Sequence, residues 1–342
     1  MKKYSKKARL GLGGSFLIVV VLVMGWRSDE FIRRTVWLLG ADNLPQIQHA
    51  LEPTTIEWSE ARWSGDIQEP LLNESSGLAA SNRHEDLLWS INDSGDGPNL
   101  FAMSTTGRAR GQWQIATATP IDWEAMSSFQ LDGESYLLVA DVGDNFATRS
   151  TVSFLVVREP SLEQDQSVLI PVEWGGEFVY PDGPRDCEAV AVDIVNEEVL
   201  FLSKRTFPNE LYSVPLRSSA DRPLIASKVS DLYPLPRNVP EHGKLYGRSA
   251  KYQGMPTGMS LRGNRLLVVT YRDAYLYDLL DVAREPLRIP LPLVGQREAI
   301  AFAKDSDSLA FVSRERPNGR EIADLFSVRF ALDAPGQMPG VE

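Results

Sequence analysis

The amino-acid sequence predicts an all-β protein, a β-propeller of five blades preceded by an N-terminal membrane helix. Three observations predict it. A motif with a large apolar residue between two small ones recurs five times, as Ser76-Gly77-Leu78-Ala79, Glu124-Ala125-Met126-Ser127, Glu188-Ala189-Val190-Ala191, Thr257-Gly258-Met259-Ser260 and Glu298-Ala299-Ile300-Ala301, at intervals of 48, 64, 69 and 41 residues. Repeats of this length mark a radial or linear array. Two further short apolar segments follow every copy, and a long apolar run with basic residues before it opens the chain.

In chain order, residues 1–9 form a basic tail with Lys2, Lys3, Lys6, Lys7 and Arg9, and residues 10–26 are free of charge. Seventeen such residues reach the short limit of a spanning helix and slightly exceed a signal-peptide core. Val23-Met24-Gly25 is a poor cleavage site and no Ala-x-Ala is present. The segment is therefore read as an uncleaved anchor, with cleavage and secretion as the alternative. Basic residues keep the N-terminus cytoplasmic, which places a single-pass protein in a bacterial inner membrane with its propeller in the periplasm. Residues 27–53, with Phe31, Ile32, Val36, Trp37, Leu38 and Leu39, read as a juxtamembrane linker with helical character.

The propeller is expected over residues 54–332, with a tail at 333–342. After each motif, which forms an innermost strand, comes a second strand: Leu87–Ile91, Tyr136–Ala140, Val199–Ser203, Leu266–Thr270 and Leu309–Ser313. The third is Leu100–Met103, Ser153–Val157, Leu211–Val214, Tyr275–Tyr277 and Leu325–Val328. Short strands separated by Gly, Asp, Asn and Pro fit four-stranded blades. Inner strands converge on the axis, so one of their faces carries small side chains while the large residue fills the opposite space between blades. The fifth copy lacks a fourth strand after Phe330, and Thr54–Trp58 is expected to supply it. Six blades are the alternative, because the two longest intervals leave room for extra strands near Glu177–Tyr180 and Val229–Leu235.

Composition narrows the function. The net charge is −11, the first 26 residues contribute +5, and the rest carries −16. An acidic body of this kind excludes nonspecific nucleic-acid binding. Cys187 is the only cysteine, which excludes an intrachain disulfide, and it reads as a buried structural residue. His49, His84 and His242 are scattered without metal-site spacing. No Gly-x-Ser-x-Gly elbow or phosphate-binding glycine loop occurs in the exported part.

Candidate chemistry gathers where the loops leading into the inner strands meet the turns that leave the second strands. Copies one and two offer Asp93, Asp96, Asp122, Glu124, Asp141 and Asp144, whereas the last three offer Lys204, Arg205, Arg272, Arg297, Arg314 and Arg316. Asp93, Asp96, Asp122, Asp141 and Asp144 are the candidate ligands of a hard cation such as Ca²⁺. Lys204, Arg205, Arg272, Arg297 and Arg314 are the candidate contacts to an anionic ligand. Glu124, Glu188 and Glu298 share one register at the channel mouth and are the candidate catalytic carboxylates, since clustered carboxylates require compensation by a cation, an arginine or a proton. The competing reading is that Asp, Asn and Gly serve tight turns. Asn92 to Gly97 is not an EF-hand, because Met103 stands where a bidentate Glu is needed.

Ser76–Ala79, Trp89–Asp96, Asp122-Trp123-Glu124, Asp141–Asn145 and Tyr180–Gly183 resemble a family of exported, membrane-anchored bacterial β-propeller proteins. More distantly, Glu188–Asp193 followed by Val199-Leu200-Phe201 is similar to blades of the β-propeller phytases and the SdiA-regulated propeller proteins. The phytase resemblance implies calcium-assisted hydrolysis of phosphate esters, with mouth carboxylates holding calcium and basic residues holding phosphate. Two functions are therefore expected to compete. One is a membrane-held module that binds an envelope ligand or protein at its charged top face. The other is a metal-assisted hydrolase of phosphate esters or lactones.

Overall fold

The structure is a computed structural model, and it describes residues 52–93, 95–218, 222–237, 252–292, 296–314 and 323–331. The expected anchor at 10–26, most of the linker and the C-terminal tail lie outside the described residues, as does Arg316. Strands are numbered in chain order.

The ring closes at a seam between the two ends of the propeller. The first strand, β1 (Trp58–Asp66), is the outer strand of the last blade and pairs antiparallel with that blade's third strand from Trp58↔Ala331 to Asp66↔Asp324. The closing strand therefore starts at Trp58, where the sequence expected it to end. Thr55 makes only a single parallel bridge to Arg288, because the chain is still crossing the neighbouring blade there.

Blade 1 is β2 (Ser75–Ala80), β3 (Leu87–Asn92), β4 (Asn99–Ser104) and β5 (Ala109–Gln114). Blade 2 is β6 (Trp123–Leu131), β7 (Glu134–Asp141), β8 (Val152–Arg158) and β9 (Val172–Val179). Blade 3 is β10 (Cys187–Asp193), β11 (Glu198–Ser203), β12 (Glu210–Pro215) and β14 (Ser227–Asp231), while β13 (Leu224–Ile225) joins the edge of blade 2 in parallel. Blade 4 is β15 (Pro256–Arg262), β16 (Arg265–Thr270), β17 (Ala274–Asp278) and β18 (Leu287–Ile289). Blade 5 is β19 (Arg297–Phe302), β20 (Leu309–Arg314), β21 (Asp324–Ala331) and the seam strand β1. The propeller thus has five blades. The segments that left room for a sixth are β9 and β14, the outer strands of blades 2 and 3.

Five hydrophobic clusters fill the five spaces between blades, and the repeated motif explains each one. The large residue packs against the small residues of the preceding blade: Met126 with Ala79, Val190 with Ala125, Met259 with Ala189 and Ala191, and Leu78 with Ala299 and Ala301. In the fifth space Ile300 packs in the cluster that joins blades 4 and 5, and a Cβ on Gly258 would lie 3.0 Å from Ala299 and 3.1 Å from the Ile300 nitrogen. Gly77 is bound by the same rule. A Cβ there would lie 2.7 Å from Ile91 and 3.0 Å from Met126. Gly77→Val is expected to cost about 1–3 kcal/mol through overpacking, read as a lowered midpoint in chemical denaturation; an unchanged midpoint would show that the blades slide apart at no cost.

The inner strands share a second feature that positions the site. Each has a bulge at the first residue of its motif, with the register shifting between Ser75 and Gly77, Trp123 and Ala125, Cys187 and Ala189, Pro256 and Gly258, and Arg297 and Ala299. The residues skipped in the register are Ser76, Glu124, Glu188, Thr257 and Glu298. A bulge bends its strand and re-aims one side chain. Five bulges at one register therefore gather five polar side chains around the mouth of the channel.

Candidate metal centre at the channel mouth

Glu124 is the centre of the acidic side of the mouth. It is buried at the bulge of β6, and Asp122 beside it is buried too, while Asp93 reaches them from the turn after β3 and is half-buried. One carboxylate oxygen from each of Asp93, Asp122 and Glu124 lies within 4.8 Å of the others. Gly143, in the turn after β7, makes room for the group: a Cβ there would fall 2.5 Å from Asp122 Oδ2 and 2.7 Å from Glu124 Cγ. No hydrogen-bond donor among the described residues reaches the Glu124 carboxylate. Burial above all, and then the charges of Asp93, Glu188 and Asp122, push its carboxyl well above the usual range, against the pull of Lys204.

Glu188 occupies the matching bulge in the next blade and carries the compensating cation. Its Oε1 pairs with Lys204 Nζ, and both side chains are almost fully enclosed. Lys204 also donates to the Tyr271 hydroxyl at 3.0 Å, with its ammonium 5.3 Å from the centre of that ring. Burial raises the Glu188 carboxyl to about 7, although Lys204 draws it down. Lys204 is held protonated by Glu188 first, with Tyr271, Asp186 and Glu124 adding to the effect against the cost of burial. The other carboxylate oxygen, Glu188 Oε2, is buried without a hydrogen-bond partner. Glu298, at the bulge of β19, is half-buried and accepts from Gln296 at 3.5 Å. Its charge acts on Tyr271, so it stands near the residue that holds Lys204.

The remaining acidic candidates are held in their own turns. Asp141 accepts from the amides of Ile121 at 2.8 Å and Asp122 at 3.1 Å and pairs with Arg149 at 2.7 Å, so it fixes the loop that presents Asp122. Asp144 accepts from the amides of Thr148 and Arg149, both at 2.9 Å. Asp96 accepts from Asn92. These are the side-chain to backbone closures that tight turns use, and they leave the three-carboxylate group to Asp93, Asp122 and Glu124.

The basic candidates are braces in this structure. Arg205 pairs with Asp186 at 2.6 Å and donates to Asn145 of the neighbouring blade. Arg272 forks onto both oxygens of Glu52, at 2.8 and 2.7 Å, and also bonds Asp273 at 2.8 Å. Arg297 donates to the carbonyls of Tyr271 and Arg272 at 2.7 and 2.8 Å, and Arg314 pairs with Asp324 at 2.7 Å. Only Lys204 among the five stands beside the acidic group. The sequence did not single out Tyr271, or Arg237, whose guanidinium donates to the Lys204 carbonyl at 2.9 Å and fixes that turn. Nothing local marks either residue. Cys187 is fully buried, and burial pushes its thiol up to about 12, as suits a structural cysteine.

No protein-family profile matches the chain, and no curated protein is similar to it in sequence. Among solved structures it is similar to a luciferin-regenerating enzyme at 8% identity, covering 80% of this chain and 95% of that one with a TM-score of 0.39. It is similar to the PQQ-bound aldose sugar dehydrogenase of Streptomyces coelicolor at 10% identity, over 81% and 100% of the two chains, with a TM-score of 0.39. A regucalcin from Agrobacterium tumefaciens, described as a calcium-binding protein, is 12% identical over 79% and 96%, again with a TM-score of 0.39. Likeness at this level concerns architecture alone and decides nothing about the chemistry of the mouth.

Proposed function

We propose that this chain is a membrane-anchored propeller, facing the periplasm, that binds an oxyanionic ligand at its channel mouth through a divalent cation. The observation that carries the reading is the convergence of Asp93, Asp122 and Glu124, with Glu124 buried and met by no donor among the described residues. Ligand oxygens at 2.3–2.6 Å on opposite sides of a Ca²⁺ lie roughly 4.6–5.2 Å apart, so three oxygens all within 4.8 Å of one another are close enough together to share one ion. Calcium takes six to eight oxygens, and three side chains leave positions for a ligand. In such a site the cation neutralises the buried carboxylates and polarises the oxygens of whatever is bound. Asp141 holds the Asp122 loop in place. Lys204, fixed by Glu188 and Tyr271, adds a positive charge beside the group.

A second reading, cation-assisted hydrolysis of a phosphate ester or lactone, is favoured by one feature. Glu188 is a carboxyl lifted to about 7 beside the acidic group, and a group with that affinity for protons can accept one from water near neutral pH. The test is calcium titration of the detergent-solubilised full chain by calorimetry, with thermal melts in calcium and in chelator. A stabilisation of about 2.7 kcal/mol is expected when calcium is a hundredfold above its dissociation constant. Absence of both heat and melting shift at millimolar calcium would sink the reading. Turnover of a phosphate-ester or lactone panel by the calcium-loaded protein, lost in Glu188→Gln, would then select hydrolysis over binding.

A further inference from the structure

Three large apolar side chains stand exposed beside the carboxylate group at the mouth. Leu71, Ile121 and Phe146 are 57%, 62% and 39% exposed. The Leu71 carbonyl accepts at 2.6 Å from the side chain of Asn92, which ends β3 and directly precedes Asp93. Ile121 directly precedes Asp122, and its amide donates at 2.8 Å to Asp141 at the end of β7. Phe146 lies in the turn between β7 and β8, just beyond Asp144. All three therefore sit on loops at the same end of blades 1 and 2, flanking Asp93, Asp122 and Glu124, whose oxygens lie within 4.8 Å of one another. The chain also enters the propeller at this end, because Arg272, in the turn after β16, forks onto Glu52.

A lone exposed apolar residue needs no explanation. Apolar side chains set beside a group of carboxylates suited to a cation do need one. A water-soluble oxyanion would use the cation and leave these side chains in water. A phospholipid surface uses both, since its phosphates offer oxygens to a divalent ion and its acyl boundary accepts apolar side chains. Interfacial binding of this kind strengthens with the apolar area buried and with electrostatic attraction. Charge makes the cation indispensable. The chain after residue 26 carries −16, and the arginines at this end are paired with Asp186, Glu52, backbone carbonyls and Asp324. Without a cation an anionic bilayer repels such a face.

We propose that the mouth face docks on a phospholipid bilayer, with the cation bridging Asp93, Asp122 and Glu124 to headgroup phosphates while Leu71, Ile121 and Phe146 enter the interface beside it. The proposal rests on the anchored, cation-dependent reading above and names its oxyanion as the phosphate of a lipid. Docking is then switched by calcium, because the same face is repelled when the ion leaves.

The experiment uses the full chain reconstituted in vesicles of phosphatidylcholine and phosphatidylglycerol that carry a lipid-borne quencher. A fluorophore is attached at Phe146→Cys or, as the control, at Val195→Cys, an 84% exposed position in the turn between β10 and β11 at the other end of blade 3. Cys187 is buried and so shielded from the reagent. Calcium is expected to quench the Phe146→Cys label and chelator to reverse it, while the Val195→Cys label stays bright in both. Leu71→Ser is expected to raise the calcium needed for half-maximal quenching about threefold to tenfold, with its calcium affinity in detergent unchanged. Glu124→Gln is expected to abolish the quenching. Quenching that survives in Glu124→Gln would overturn the proposal, by showing that calcium acts through charge screening alone. Equal quenching of the two labels would overturn it as well. No quenching at Phe146→Cys in a chain that binds calcium in detergent would sink lipid docking, leave the cation-dependent reading standing and assign the apolar side chains to a protein partner. Failure to bind calcium in detergent would bring down both, an outcome seen before any vesicle is made.

Discussion

Lys204→Met is expected to destabilise the protein by about 3–5 kcal/mol above pH 7, the scale of a buried ion pair broken from one side. Both side chains of the Glu188–Lys204 pair are only 7% exposed, so water cannot replace the lost ammonium, and the Tyr271 hydroxyl loses its donor as well. The pH dependence distinguishes this cause from a simple loss of packing. Glu188 is lifted from an ordinary carboxyl to about 7 mainly by burial. The folded protein therefore keeps this proton over a range, from about 4.5 to 7, in which the unfolded chain has released it. Stability consequently falls as pH rises through that window, by up to about 1.4 kcal/mol per unit. Without Lys204 the carboxyl rises further, so the penalty is largest in alkali and shrinks toward pH 5, where Glu188 is neutral. Chemical denaturation at pH 5 and pH 8 checks this, with Glu188→Gln/Lys204→Met expected to recover most of the loss. A penalty equal at both pH values, or no recovery in the double variant, would assign Lys204 to packing.

Glu124→Gln is expected to act in opposite directions with and without calcium. Burial and the charges of Asp93, Glu188 and Asp122 hold the Glu124 carboxyl well above its ordinary value. In the absence of a cation, raising the pH forces either an unfavourable buried charge or retention of the proton, and stability declines as the unfolded chain gains the advantage. Glutamine removes that penalty, so the variant should be more stable than wild type in alkaline chelator, with a flatter pH profile. In calcium the order reverses. Wild type gains on the order of 2–3 kcal/mol at saturating ion and the variant loses most of that gain, because it replaces a charged ligand oxygen with a neutral amide oxygen. Melts of the two proteins in chelator and in calcium, each at pH 6 and pH 8.5, give the crossing directly. Parallel shifts in all four conditions would mean that Glu124 is not part of a cation site.

The contrast between these two carboxylates shows how far the sequence could be read. Glu124 and Glu188 were legible as candidates because they open two copies of one motif, and the bulge at that position is repeated with it. Thr257 opens another copy and carries the same signal, yet the burial of its hydroxyl without a partner is visible only in the folded chain. The arginines show the opposite case. Arg205, Arg272, Arg297 and Arg314 sit on the right face in the right loops, but their bonds go to Asp186, Glu52, backbone carbonyls and Asp324. The partner of Arg272 is 220 residues away in sequence, and no periodicity predicts that meeting. The closing strand was likewise placed a few residues early, since the pairing of Trp58 with Ala331 is a register between chain ends.

The sequence by itself determined the propeller, the order of its strands and the ring of motif positions at the mouth, because alternation of small and large residues is local and each copy repeats the same packing problem. The tertiary structure decided between the five blades the sequence favoured and the six it allowed, and it alone showed that the arginines brace the loops and that Asp93, Asp122 and Glu124 converge beside the Glu188–Lys204 pair. The physical reason is that charge partners are selected by distance and burial across blades, and neither quantity is written in the neighbourhood of any one residue.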